Sequence, residues 1–358
     1  MSLSFDIPKL QTAAVIEALK QDLVLRKDFP VKQPAELAPG ECLVKMEYTG
    51  VCHSDLHIRD GDWHIPAAVP VIGGHEGVGT VVAIGEHTTD SSIKVGDRVG
   101  VKWIAKNCGR CDCCQHGIDA SCDISRAHSS GYRVHGTFCE YLVSYVSYVT
   151  PIPEGLDGAQ AAPFLCAGLT VYGALKNANA TIGNWVAIPG AGGGLGHLAV
   201  QIAVSMGLRV VAIDTGEEKR KLVTALGAEK WVDFRESQNL VQDVMVAAGG
   251  KGPHAAIVVS GVAEPFNQAI MYLRANGTLV AVGMGNCVLE APIPIVIAKA
   301  LKIVGSALGT LQDSIEVLDL AVRGKLKCQV EVRSLQDVNS VLEDLGQGRV
   351  AGRVVLKI

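Results

Sequence analysis

Over the first 160 residues, apolar positions recur in short runs, ECLVKMEYTG, VGTVVAIG, DRVGVKW and TFCEYLVSY, separated by Gly, Pro and Asp turns. Such short runs place successive side chains on opposite faces of strands, so this stretch predicts a β-rich domain carrying loops, with few long helical periods. From about Cys166 the pattern changes to compact apolar strands alternating with amphipathic helices. The strand candidates are WVAIP, RVVAID, WVDF, AAIVVS, TLVAVG and KIVGS. Strands with helices between them predict a doubly wound, six-stranded parallel sheet of the Rossmann type. After Ser306 come a helix (DSIEVLDLAVRGKL), a β segment (QVEV), a second helix (LQDVNSVLEDL) and a last strand (RVVLKI). This tail has no room for a third core and is expected to fold back onto the first domain. The predicted division is therefore 1–166, β-rich; 167–308, the parallel α/β sheet; and 309–358, returning to the first domain.

At 358 residues and 48% hydrophobic the chain has material for two cores. Its 32 basic and 36 acidic residues leave a net charge of −4 with no block of like charge. An extended surface for a polyanion is thereby excluded, so neither nucleic acid nor a membrane face is an expected partner. No apolar run reaches the roughly 18 residues of a spanning helix. The segment MSLSFDIPKLQTAAV lacks the basic region and apolar stretch of a secretory signal, and a cytoplasmic enzyme is expected.

The eleven cysteines change the picture most, because a reducing compartment favours metal ligands and free thiols over disulfides. Cys108, Cys111, Cys114 and Cys122 form CxxCxxCx7C within NCGRCDCCQHGIDASC, four thiolates able to close a tetrahedral shell around a structural zinc. Cys113 lies inside the cluster and could compete with Cys114, although the CxxCxxC register favours Cys114. Cys52 in TGVCHSDLH, His75 in GGHEGVG and Cys166 in APFLCAGLT are far apart in sequence. Where the fold unites them they supply a Cys2His set with an open fourth position, a catalytic zinc site, although their spacing alone does not establish one. Cys42, Cys139, Cys287 and Cys328 read as small apolar side chains.

The segment NWVAIPGAGGGLGHLAVQIAVSMGLRVVAID reads strand, glycine turn, helix, strand. Gly190, Gly193, Gly194 and Gly196 let the backbone approach a pyrophosphate held at the following helix N-terminus. The spacing is GxxGGxG, with Leu195 five residues after Gly190, one residue longer than GxGxxG. Asp214 ends the next strand, where its carboxylate would accept from the adenine ribose hydroxyls and repel a 2′-phosphate, favouring NAD over NADP. Lys219 either reaches the ribose or begins a solvated helix.

An open zinc beside a hydride acceptor suits alcohol oxidation, which removes a proton from oxygen and a hydride from carbon. Ser54, two residues after Cys52, can take the proton and pass it by way of the ribose to His57, whose ordinary pKa of about 6.5 suits a shuttle to solvent. His53 would face the pyrophosphate, and Glu76 would be a second group at the metal or a temporary ligand.

These segments, with LCAGLTVYGAL, ANGTLVAVGM, IVGS and the closing GRVV, resemble the medium-chain zinc-dependent alcohol dehydrogenases, and more closely their microbial tetrameric, yeast-type branch. The resemblance implies a GroES-like first domain, two zinc ions per subunit, NAD as cofactor and a homotetramer. It implies a catalytic zinc on Cys52, His75 and Cys166 with Glu76 adjacent, and a structural zinc on Cys108, Cys111, Cys114 and Cys122. It places NAD against His53, Ser54, His57, Gly190, Gly193, Gly194, Leu195, Gly196, Asp214 and Lys219. By resemblance alone, Val282, Met284, Ser306 and Leu308 lie near the nicotinamide and Arg353 contacts the pyrophosphate. Trp63 and Trp103 match bulky residues that narrow the substrate pocket toward short primary alcohols such as ethanol. Ser54 stands where this branch usually has Thr, and HIP after Trp63 and IAKNC after Trp103 also depart from the branch. Two other readings compete: the same chemistry on a larger alcohol or aldehyde of a specialised pathway, and a non-catalytic zinc and nucleotide binder on the same scaffold.

Overall fold

The strand Glu41–Val51 organises the first half of the chain. Its period of two sends Cys42, Val44 and Met46 into a large core with Val81, Val99, Phe138 and Leu142, while Leu43 turns to a smaller cluster with Val82 and Ala83. One edge pairs with Gly77–Ile84, and along the other Tyr141–Tyr145 and Arg353–Lys357 pair in succession, all antiparallel. Arg98–Val101 and Thr150–Pro151 extend the sheet beyond Gly77–Ile84, and Val330–Ser334 lies parallel to Arg353–Lys357 at the opposite end. The computed structural model describes residues 5–350 and 352–358.

These residues form two compact units. The first comprises the described residues of Met1–Cys166 with Thr310–Val322 and Cys328–Ile358; the second comprises Ala167–Gly309 and Arg323–Lys327. The tail returns because Val354, Val355 and Leu356 are buried in the first unit's sheet. The helix Val338–Gly346 turns Val338, Val341 and Leu342 inward at i, i+3 and i+4, and packs on the helix His53–Asp60. Arg323–Lys327 departs from the expected division. There the Gln201 side chain clasps the Lys327 backbone, donating to its carbonyl and accepting from its N–H, each at 2.9 Å.

Three elements of the first unit carry no clear signal in the pattern above. Leu10–Ile16 and Val24–Pro30 pair antiparallel, but the second is a charged edge strand, mostly exposed. His53–Asp60 is a short helix where loop was expected, closed by Gly61 at φ 66°. The run TFCEYLVSY forms a strand only from Tyr141, because the N–H groups of Thr137 and Phe138 donate instead to the carbonyls of Gly74 and Gly73.

In the second unit, six parallel strands among the described residues lie in the order Lys230–Asp233, Arg209–Asp214, Trp185–Pro189, Ala255–Val258, Thr278–Ala281, Lys302–Gly305. That is the doubly wound order 3-2-1-4-5-6. The central strands are buried on both faces, as expected for a parallel sheet with helices between its strands. Phe234, at the end of WVDF, falls outside its strand and is half exposed.

Candidate active site

Cys52 caps the helix His53–Asp60, His75 and Glu76 directly precede the strand Gly77–Ile84, and Cys166 follows the 3-10 turn Ala162–Leu165. These distant segments converge: one ligand atom from each of Cys52, His75, Glu76 and Cys166 lies within 4.8 Å of the others, and all four residues are buried. His75 Nδ1 meets Asp55 Oδ1 at 2.9 Å, which leaves Nε2 buried without a hydrogen-bond partner. A buried, partnerless imidazole nitrogen beside two thiols is costly unless a cation completes it. The donor set, borderline nitrogen and soft sulfur, fits zinc.

Sequence reading did not single out Asp55. Its Oδ2 accepts the Cys52 N–H at 2.8 Å while Oδ1 holds His75, so one carboxylate caps the helix and orients a ligand. An acidic residue three positions after the cap was the available signal. Cys166, then Arg353 and His75, hold the Cys52 thiol well below the ordinary range, whereas Cys166 is held well above it by Cys52 and burial. Burial lowers the affinity of His75 for a proton, but Asp55 and Cys52 together more than offset this.

Glu76 Oε1 accepts from Arg353 Nη2, and Oε2 is buried without a partner. Burial pushes the Glu76 carboxyl up to about 7 despite the Arg353 charge. Gly50 makes room for this carboxylate, since a Cβ there would collide with Glu76 Oε2. The structure thus places Arg353, matched by resemblance to a pyrophosphate contact, as the buried counter-charge of Glu76 in the first unit.

Cys108, Cys111, Cys114 and Cys122 form a second group, from which Cys113 is left out. Sulfur separations are 3.9 Å for Cys108–Cys114 and 3.6 Å for both Cys111–Cys114 and Cys108–Cys122. A tetrahedron with metal–sulfur bonds of about 2.3 Å has edges of about 3.8 Å, so the cage fits zinc.

Ser54 Oγ lies 3.7 Å from Cys52 Sγ. One turn on, His57 Nδ1 meets Asp62 Oδ2 at 2.9 Å, and the His53 and His57 rings are 5.2 Å apart. Burial, then the His57 charge, lowers the proton affinity of His53. Trp103 meets His75 edge-on at 5.1 Å and Trp63 at 5.7 Å. Trp103 therefore borders the candidate metal group directly, and Trp63 stands behind it, against Trp103 and the His57 ring.

In the second unit the glycine turn follows the strand Trp185–Pro189 and leads into the helix Gly196–Ser205. Gly193 N–H returns to Gly190 O at 3.0 Å, and Gly196 packs directly on the Gly190 carbonyl, where a Cβ would not fit. Leu195 occupies the cap position and offers the first helical N–H groups no side-chain acceptor; the His197 N–H is taken by the Gly193 carbonyl at 3.1 Å, and the open helix start suits a phosphate. Asp214 Oδ2 accepts Gly192 N–H at 2.9 Å, and Oδ1 accepts Thr215 N–H at 2.8 Å and Lys219 Nζ at 2.9 Å. Gly192, passed over in the glycine spacing above, ties the turn to the acidic residue. Lys219 joins the acidic group rather than standing in solvent alone. Val282 and Ser306 are buried beyond the ends of Thr278–Ala281 and Lys302–Gly305, Met284 is exposed, and Leu308 has φ 61°. With Gly190 and with Asp214, the last residue of Arg209–Asp214, these lie at or past the carboxyl ends of parallel strands, where this topology binds ligands.

A buried Cys2His-Glu group in one unit and a glycine turn with a trailing acid in the other define a metal-dependent oxidoreductase that works with a dinucleotide. Residues 38–154 match the alcohol dehydrogenase GroES-like domain family and residues 194–323 the zinc-binding dehydrogenase family. Every candidate metal ligand lies outside the second match. The chain is 45% identical over 354 residues to alcohol dehydrogenase 1 of Emericella nidulans, covering 98% of this chain and 99% of that protein. It is 43% identical to an alcohol dehydrogenase of Geobacillus stearothermophilus, over 97% of this chain and 98% of that one. Its fold superposes on acetophenone reductase from Geotrichum candidum in complex with NAD, with TM-score 0.86, 32% identity and 99% of each chain covered. The chain belongs to the medium-chain zinc-dependent alcohol dehydrogenase family, and it is an NAD-dependent zinc enzyme of that family.

Proposed function

We propose that the chain oxidises short primary alcohols such as ethanol to aldehydes, and reduces aldehydes in the reverse direction. The observation that carries the reading is the buried, partnerless Nε2 of His75 among Cys52, Cys166 and Glu76. Zinc held there by Cys52, His75 and Cys166 supplies Lewis acidity that makes a hydroxyl a much stronger acid. NAD supplies the hydride acceptor. Ser54 Oγ takes the hydroxyl proton and His57 releases it to water, its ring held in place by the contact of Nδ1 with Asp62. Glu76, its other oxygen held by Arg353, stands by as a replacement ligand. Asp214 and Lys219 select the adenine ribose, and the turn from Gly190 to Gly196, with Val282, Met284, Ser306 and Leu308, holds the dinucleotide.

The four-cysteine cage holds a second, structural zinc, giving two per chain. Trp63 and Trp103 exclude large alcohols by volume. A homotetramer is favoured by apolar side chains left exposed on the second unit, among them Val288, Ile293 and Ile297, with Ile303 on the edge strand Lys302–Gly305. Cytoplasmic location fits eleven free cysteines, and among the described residues no single helix is long and apolar enough to cross a membrane.

The test is NADH formation by zinc-replete enzyme across primary alcohols from ethanol to branched and aromatic ones, with zinc content measured per chain. Wild type should hold two zinc and act best on the small members, and Cys52→Ala should lose both activity and one zinc. A wild type inactive on every alcohol and aldehyde overturns the enzyme reading, and a preference for bulky alcohols replaces the short-chain substrate with a specialised one.

A further inference from the structure

The segment that carries Trp63 has neither helix nor strand, and His64, Ile65 and Pro66 after it are exposed. Backbone of this kind keeps its place only through outside contacts. Those contacts come from two residues further along the chain. The Tyr132 hydroxyl donates to the Ile65 carbonyl, and Arg133 Nη1 donates to the Pro66 carbonyl at 3.1 Å. Ala68 N–H returns to the Tyr132 carbonyl at 2.9 Å. The Tyr132 ring meets Trp63 edge-on at 5.3 Å and stacks on Trp103 at 5.6 Å with an interplanar angle of 27°. Trp103 in turn meets His75, and Trp63 meets the His57 ring at 6.3 Å. Among the described residues Tyr132 is thus the one ring in contact with both indoles, and its hydroxyl pins the backbone two residues beyond Trp63.

We propose that Tyr132 is a specificity-determining residue, fixing the Trp63 segment against Trp103 and thereby setting the largest alcohol accepted beside His75. The inference rests on the reading of Trp63 and Trp103 as pocket walls. Tyr132 acts through them as a positioning residue. Its two handles are separable, since Phe keeps the ring contacts and loses only the bond to Ile65, whereas Ala loses both.

The experiment compares kcat and KM for ethanol, 3-methylbutan-1-ol and benzyl alcohol in the zinc-replete full chain and in Trp63→Ala, Tyr132→Phe and Tyr132→Ala. Tryptophan emission, zinc content and thermal midpoint are recorded alongside. Trp63→Ala should raise kcat/KM for the bulky alcohols relative to ethanol. Tyr132→Phe should raise the same ratio about three- to tenfold, the loss of one ordinary hydrogen bond, through lower KM for the bulky members at unchanged kcat for ethanol. Its emission should shift to the red, and the shift should vanish when Trp63→Ala is added. Tyr132→Ala should exceed Tyr132→Phe in both readouts; should it fail to fold, Tyr132→Phe decides alone. An unchanged ratio and emission in the Tyr132 variants while Trp63→Ala moves the ratio overturns the proposal and leaves the walls standing. An equal loss on all alcohols that tracks the thermal midpoint also overturns it, as a merely structural effect. If Trp63→Ala leaves the ratio unchanged, the wall reading fails and takes the proposal with it.

Discussion

Asp55 shows how much one buried side chain can carry, because its two oxygens face a helix cap and a candidate zinc ligand at once. Replacing it with Ala leaves His75 free to turn and should weaken zinc binding at Cys52, His75 and Cys166 by about 10- to 100-fold while sparing the four-cysteine cage, read by competition with a chromogenic chelator. Lys102 is the second buried charge with a measurable signature. It lies under the Tyr148 ring, 4.0 Å from the centroid, donates to the Tyr148 carbonyl, and faces Asp119, which accepts from the Tyr148 hydroxyl at 2.6 Å. Burial lowers its pKa to about 7, against the upward pull of Asp119. The folded protein therefore gives up this proton near pH 7 while the unfolded chain keeps it to about 10.4. Stability should rise with pH across that window, by at most about 1.4 kcal/mol per unit, and the gain is lost as pH falls through 7. Lys102→Met should flatten the slope, measured as the variant-minus-wild-type difference in urea midpoint between pH 6 and 9.

Among elements, the strand Glu41–Val51 and the glycine turn depend on small residues for opposite reasons. Gly50 lies under Glu76, and Gly50→Ala should push that carboxylate off Arg353, costing roughly 1–3 kcal/mol in denaturant unfolding. At the turn, Asp214 draws the Gly192 N–H toward the end of its strand, so Asp214→Ser should both loosen the turn and admit a 2′-phosphate. The expected result is a rise of at least about tenfold in the ratio of kcat/KM for NADP to that for NAD. These elements also mark what the sequence revealed. The parallel sheet was legible because strands buried on both faces are unbroken apolar runs, and so was the four-cysteine group, by its close spacing; Cys52, His75 and Cys166 were joined only by the family resemblance, since their spacing alone established no shared site. Val24–Pro30 escaped notice because an edge strand covered in charge has no apolar face to read. Asp55 escaped because its one mark, an acidic residue three positions after a helix cap, means nothing until the helix itself is expected, and Tyr132 because a tyrosine holding a distant carbonyl leaves no mark in spacing. Gly192 was hidden by its neighbours, where any three glycines fit some motif and only the bond to Asp214 shows which one matters.

For the molecule as a whole, all eight residues of the two candidate metal groups belong to the first unit, and the second has a buried sheet of its own. Chelation should therefore lower one calorimetric transition and leave another in place; a single transition that moves as one would show that the units melt together. The order of synthesis adds a further constraint. Arg353 follows Glu76 by 277 residues, and the strand it begins lies inside the first unit's sheet, between Glu41–Val51 and Val330–Ser334. A ribosome adding about 5–20 residues per second takes roughly 14–55 s to cover that distance. Throughout that time the nascent first unit has an open seam in its sheet and a glutamate without its counter-ion, while the whole second unit emerges and has time to fold. The enzyme is thus assembled from the inside outward, its inserted unit first, and the metal-bearing unit closes only when its last strand arrives.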